Sequence, residues 1–157
     1  MKIIVTESQL ELLKLIKQNE DVINKFKNRF NVITQQLNTL YNKIQFISVG
    51  ELLNKETDVS ELLKFVEGLE SSNSAIEDDM TKFFNDMTKF FNSEGEDVYV
   101  EKYESINYDL EKNYYYKNSD KINVVSAILM NLERLVDESV DNKYEDVFKD
   151  NKDINVG

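Results

Sequence analysis

The chain has 157 residues, 41% of them hydrophobic, with four Gly and no Pro, Trp, His or Cys; a β sandwich or barrel needs a turn about every eight to twelve positions, so this composition points to long helices with few corners. Without His or Cys there can be no disulfides, thiol nucleophiles, His-based triads or zinc sites built on those ligands, and di-iron bundles of the Glu-x-x-His kind are excluded with them. A net charge of −11 opposes direct nucleic-acid binding through phosphates and opposes an anionic membrane surface, which leaves a protein partner or self-association through helices.

Thr6-Glu7-Ser8-Gln9 has the spacing of a capping box, with Thr6 as N-cap and Gln9 at the third helical position. An apolar series follows at Leu12, Ile16, Ile23, Phe26, Phe30, Ile33, Leu37, Leu40, Ile44 and Ile47. From Ile23 onward its steps alternate between three and four, the a/d stripe of a coiled coil or a long bundle helix. The spacing predicts one helix over about 8–48, roughly 60 Å long at 1.5 Å per residue. Asn19 sits on the stripe within the polar run Gln18-Asn19-Glu20-Asp21. Either the helix breaks there or Asn19 is a buried polar residue that fixes register; a continuous helix is expected. Val49-Gly50 is the expected stop, with Gly50 as C-cap.

A short piece, Glu51–Lys55, comes next. Thr57-Asp58 is expected to cap a helix over about 57–70 that carries Val59, Leu62, Leu63, Phe65, Val66 and Leu69. Ser71-Ser72-Asn73-Ser74 looks like a linker, and Ser74 with Glu77 like a capping box opening a helix over about 74–93. That helix contains an exact internal repeat, Asp79-Met80-Thr81-Lys82-Phe83-Phe84-Asn85 followed at once by Asp86-Met87-Thr88-Lys89-Phe90-Phe91-Asn92. A seven-residue duplication keeps a helical face nearly in phase, with a drift of about 20°; in a strand an odd shift would invert the faces. Ser93–Asp97 reads as an acidic turn. Residues 97–117 suit either a helix face, through Tyr99, Tyr103, Ile106, Leu110 and Tyr114, or short strands at Val98–Val100 and Tyr114–Tyr116. Asn118-Ser119-Asp120 should open a last helix over about 119–149, and 151–157 should fray. The expected fold is all-α. It is a single helical domain over 1–150, a long heptad-patterned helix packed with three to four others as an elongated bundle or coiled-coil hairpin.

Charge is unevenly spread. Residues 1–48 carry Lys2, Lys14, Lys17, Lys25, Lys27, Arg29 and Lys43 against Glu7, Glu11, Glu20 and Asp21, a net of +3 that leaves −14 for the rest of the −11 total. Carboxylates cluster at Glu77-Asp78-Asp79, Glu94/Glu96/Asp97, Asp137-Glu138/Asp141 and Glu145-Asp146. A glycosidase would need two of them converging across a cleft, whereas here they fall on polar helix faces or in turns. Asn92–Glu104 has the acids of a calcium loop but places Gly95 too early. No Walker or dinucleotide glycine motif is present. No catalytic residue, cofactor or metal site is therefore expected. The candidate interface is the Met80, Phe83, Phe84, Met87, Phe90, Phe91 face. Met and aromatics are enriched at interface centres, and two adjacent Phe per turn make a stripe wider than one neighbouring helix covers; the competing reading is core within the chain. The tyrosines could stack on bases, but they stand among acids.

The opening Met1-Lys2-Ile3-Ile4-Val5-Thr6-Glu7-Ser8-Gln9 is similar to the start of many small proteins encoded by large tailed bacteriophages, crAss-like phages among them. The resemblance covers those nine residues only and carries no functional residue. It implies a minor virion or assembly component, or an inhibitor made during infection. The expectation is thus a non-enzymatic structural or assembly protein of a phage particle. The alternative is an acidic inhibitor or immunity-type protein that binds a basic, nucleic-acid-binding partner. Nothing near Met1 has the form of a secretory signal, and the apolar run Ala127–Met130 is too short to span a bilayer. The expected location is the virion or the host cytoplasm.

Overall fold

A computed structural model describes residues 6–54 and 57–154, the side chains of Val49 and of residues 139–154 excepted. The protein is all-α, a helical bundle with no strand among the described residues. The helices are α1 (Glu7–Gln45), α2 (Val49–Leu53), α3 (Val59–Ser93), α4 (Asp97–Leu110) and α5 (Tyr116–Ile154), with a π turn over Glu111–Tyr115 joining the last two.

The start of α1 is the reciprocal cap read from the sequence. The Gln9 N–H donates to Thr6 Oγ1 at 3.2 Å, and the Thr6 N–H donates to Gln9 Oε1 at 3.1 Å. The helix runs through Asn19 without a break. It ends at Gln45, short of the expected Val49-Gly50 stop. Ser48 accounts for the difference: its Oγ accepts from the Glu51 N–H at 3.1 Å, and the chain enters α2. Gly50 is therefore a residue of α2 and not a C-cap.

The region expected as two helices over 57–70 and 74–93 is the single helix α3. Asp58 caps it, its carboxylate accepting from the Glu61 N–H at 3.3 Å. Ser71-Ser72-Asn73-Ser74 is not a linker. Serine is only a moderately poor helix former, and Asn73 is 1% exposed, with its amide bonded inside the bundle. Ser74 and Glu77 accordingly lie inside α3 and cap nothing. At the far end, the Glu96 N–H reaches Phe91 O at 2.8 Å and the Gly95 N–H reaches Asn92 O at 3.1 Å. That pair of bonds is a Schellman stop, and it requires the left-handed φ of +70° that Gly95 supplies.

The uncertain stretch 97–117 is helical throughout. Tyr103 and Leu110, each 2% exposed, anchor α4, so packing overrides the strand preference of its valines and tyrosines. Asn118 does not open a new helix; it lies inside α5. The apolar pattern explains the π turn. Buried positions step by seven from Tyr103 to Leu110 and from Asn118 to Val125, but by eight from Leu110 to Asn118. The wide turn, closed by the Tyr116 N–H on Glu111 O, takes up the extra residue and keeps both stretches facing inward. The expected fraying over 151–157 lies outside the described residues from 155 onward; the backbone to Ile154 is helical.

The chain packs as two compact units: Met1–Gln35 with Ser72–Asn118, and Gln36–Ser71 with Ser119–Gly157. The first buries Ile23, Phe26, Phe30, Ile33, Ile76, Met80, Phe84, Phe91, Tyr103 and Leu110. The second buries Leu37, Leu40, Ile44, Leu52, Val59, Val66, Leu69, Ile122, Val125 and Leu129. There Lys121 donates to Asn38 Oδ1 and holds its ammonium 5.5 Å from the centre of the Tyr41 ring.

Candidate functional site

The Met/Phe face of α3 is mostly core of the first unit. Met80 and Phe91 are 0% exposed and Phe84 is 1% exposed. Phe83 and Met87 are half-buried, and Phe90 alone is exposed, at 38%. The docking surface expected of these residues therefore shrinks to Phe90 and the edges of two neighbours. The physical reason is that two helices, and not one, cover the wide stripe. Phe83 meets Phe26 of α1 at 5.8 Å between ring centres. Phe84 meets Tyr103 of α4 at 6.2 Å, and Phe91 meets Tyr103 at 5.0 Å and Tyr99 at 5.3 Å.

The two copies of the repeat share every letter and differ in surroundings. α1 runs antiparallel to α3 here, since Phe26 faces Phe83 while Asn19 lies beside Met87. One heptad before Phe26 on α1 is Asn19. Among the described residues Phe90 thus has no counterpart of the Phe26 ring, and its one close aromatic neighbour there is Phe91, at 5.4 Å.

Polar groups occupy two levels of this core. Asn19, 3% exposed, donates to Tyr103 Oη at 3.1 Å and lies 3.2 Å from Met87 Sδ. Burial pushes the Tyr103 phenol above its usual range. At the other level, the two amide hydrogens of Asn118 go to Phe30 O and Asn73 Oδ1, both at 3.2 Å. Thr34 Oγ1 donates to Asn118 Oδ1 at 2.7 Å, and the Asn73 amide donates to Tyr115 O at 3.2 Å, in the π turn. By composition alone Asn73 looks like linker and Asn118 like a cap. The signal that they are core was their spacing: Asn73 lies on the Leu69–Ile76–Met80 stripe, and Asn118 falls midway between Tyr114 and Ile122.

The carboxylates are mostly surface groups. Asp79 pairs with Arg29 at 3.0 Å with both side chains about half exposed, and Glu138 lies 3.7 Å from Arg134; exposed pairs of this kind contribute about 0–1 kcal/mol. Glu111 differs. Burial, the charge of Glu77 and a hydrogen bond shared with Glu77 raise its carboxyl above the ordinary carboxylate range. Thr81 Oγ1 donates to Glu77 Oε1 at 3.1 Å, so the two acids sit in a small hydrogen-bonded cluster beside the π turn. Among the described residues no three carboxylates converge as a metal cage would require.

The first unit leaves apolar surface uncovered at the beginning of α1. Leu12, Leu15 and Phe90 floor an open cleft of about 450 Å³, and Glu11, Glu94 and Glu96 rim it. On the opposite side of the same helix turns, Leu10 is 47% and Leu13 52% exposed. Val98, second residue of α4, is 76% exposed beside the acidic turn. Among the described residues, no helix is long and apolar enough to cross a membrane. Comparison with protein-family models, with curated proteins and with solved structures finds no match.

Proposed function

We propose that the chain is a non-enzymatic structural or assembly protein that acts through helix–helix contacts, as a minor component of a phage particle. One observation carries the reading: the first turns of α1 carry leucines on two opposite sides, one toward the bundle and one outward. Leu12, Leu15 and Ile16 turn toward the bundle, while Leu10 and Leu13 face out. A helix that stays a surface element needs one apolar stripe; a second, outward one is left for another partner to cover. The phage setting rests on the similarity of the opening nine residues and on the in-frame heptad repeat.

A second reading, an acidic inhibitor of a basic partner, is favoured by the Glu11/Glu94/Glu96 rim around an apolar floor. Such a complex would form fast and weaken with salt.

A photo-crosslinking residue placed at Leu13, with a control at exposed Asn28 on α1, tests the assembly reading in the producing cell. Crosslinks to one defined protein species from position 13 and not from position 28 are expected. Equal labelling from both positions, or none from either, sinks the reading.

A further inference from the structure

The two methionines of the duplicated heptad stand in different chemistry. Met80 is 0% exposed. Met87 is half-buried, and its Sδ lies 3.2 Å from the Asn19 amide nitrogen. A heptad back along α3 from Met87 is Met80, and a heptad on along antiparallel α1 from Asn19 is Phe26, whose ring offers no N–H or O–H donor. The Asn19 nitrogen also donates to Tyr103 Oη, at 3.1 Å. Asn19 is 3% exposed, so its amide hydrogens depend on these two partners. A thioether sulfur is only a weak acceptor, and a buried N–H with a poor partner is a cost to the fold. At this level the core therefore holds a donor stronger than the acceptor it is given.

We propose that Met87 is a site of reversible oxidation by hydroperoxides, and that Asn19 holds the resulting sulfoxide within the folded chain. In the reaction a sulfur lone pair attacks the terminal oxygen of the hydroperoxide. The S–O bond forms as the O–O bond breaks. Sulfur gives up two electrons, and the peroxide takes them and leaves as water or an alcohol, carrying the proton of the transferred oxygen. Oxidation makes a methionine polar and ordinarily disrupts a core. Here the new oxygen is the strong acceptor that the Asn19 amide lacks. The side chain has three rotatable bonds, enough to bring that oxygen to the amide in place of the sulfur, while Tyr103 Oη keeps its own bond. The oxidised chain is then a second folded form and not a damaged one. It carries a polar group one helical turn from Phe90, and Asn19 itself lies one turn from Leu15, so the change falls beside the floor of the cleft. Met80, with no donor opposite it, has no such form.

The test treats the folded full chain with hydrogen peroxide and maps the added oxygen by mass spectrometry. Cleavage after Lys82 and Lys89 puts Met80 and Met87 in separate peptides. Met130, 61% exposed, reports that the reagent is active. Met87 should gain one oxygen while Met80 stays unmodified. Urea unfolding of the oxidised chain should then give an unfolding constant within about threefold of the untreated chain, with Met87→Leu, treated alike, showing what the other methionines contribute. In Asn19→Leu the same oxidation should raise the unfolding constant about tenfold or more, because the sulfoxide then has no buried donor. A second pair of variants does not depend on that one folding. Glutamine places a carbonyl oxygen where the sulfoxide oxygen would be, so Met87→Gln should unfold within about threefold of the wild type, and Met80→Gln about tenfold or more readily. A Met87 that resists peroxide until the chain unfolds overturns the proposal. So does an oxidised chain that loses its helicity, an oxidation cost that is the same with and without Asn19, or a Met87→Gln as damaging as Met80→Gln.

Discussion

Asn118→Ala removes the centre of the polar layer in the first unit. The side chain is 2% exposed and takes part in three hydrogen bonds: to Phe30 O, to Asn73 Oδ1 and from Thr34 Oγ1. A net contribution of about 1 kcal/mol per intramolecular hydrogen bond gives a loss of about 3 kcal/mol. With Asn118 Oδ1 gone, the single Thr34 hydroxyl hydrogen can turn to Phe30 O, 3.0 Å away, which trims that loss and argues against a larger figure. For a chain of this size the melting temperature should fall by roughly 6–12 °C. Urea unfolding followed by circular dichroism measures the change, with an unaltered m-value indicating that the folded state is intact. A cycle with Asn73→Ala isolates the Asn73–Asn118 bond and should return a coupling of about 0.5–1.5 kcal/mol. If Asn118→Ala shifts stability by less than ~0.5 kcal/mol, or if the two substitutions are strictly additive, the network contributes nothing and the reasoning is refuted.

Three further outcomes are expected. Glu111 holds its proton more tightly in the folded state, chiefly through burial and then through Glu77, so its stabilising effect is full below the ordinary carboxylate range near pH ~4.3. It is lost as pH rises through the raised folded value. Glu111→Gln should remove that component, making the variant gain on the wild type in urea midpoint as pH increases; a constant difference from acid to neutral pH would show that the pair does not titrate this way. Gly95→Ala has open space for its Cβ but must keep φ at +70°, so the cost should be about 1–2 kcal/mol from backbone strain alone; thermal melts that match the wild type would contradict the Schellman stop. Phe83→Asp should cost about 3 kcal/mol or more, since it breaks the Phe26 and Phe84 ring contacts, while Phe90→Asp should leave monomer stability within ~1 kcal/mol. Equal destabilisation by both would mean that the two copies of the repeat are buried alike.

Fold class was legible because the heptad stripe from Ile23 to Ile44 is buried as its spacing demands. The caps at Thr6 and Asp58 and the turn at Gly95 were legible because their chemistry is local. Residue type and position point different ways at two places. Serines at 71, 72 and 74 look like a linker by composition, yet nothing there forbids a helix, and the neighbouring core holds Asn73 in place. Asn118 looks like a cap by the same composition, yet it lies inside α5. The π turn left its trace in the eight-residue step from Leu110 to Asn118, which matters only once both positions are known to be core. The candidate interface was the least legible part. Burial of the Phe face depends on how many helices cover it, a tertiary fact that the stripe alone does not encode. Leu10 and Leu13 lie off the regular stripe, and spacing alone does not mark them as exposed.

The π turn also makes one place in the chain tolerant of a change in length. Each α-helical residue advances the chain by about 100°, so a deletion within α4 or α5 would rotate everything beyond it relative to its partners. A deletion within Glu111–Tyr115 would instead convert the wide turn to an ordinary one, and the residues on both sides would keep their present faces. The duplicated heptad of α3 is the complementary case, a seven-residue step that a helix absorbs with little rotation. Homologues of this chain should therefore differ in length by one residue near Asn113 and by seven near Asp86, and resist other increments within the helices.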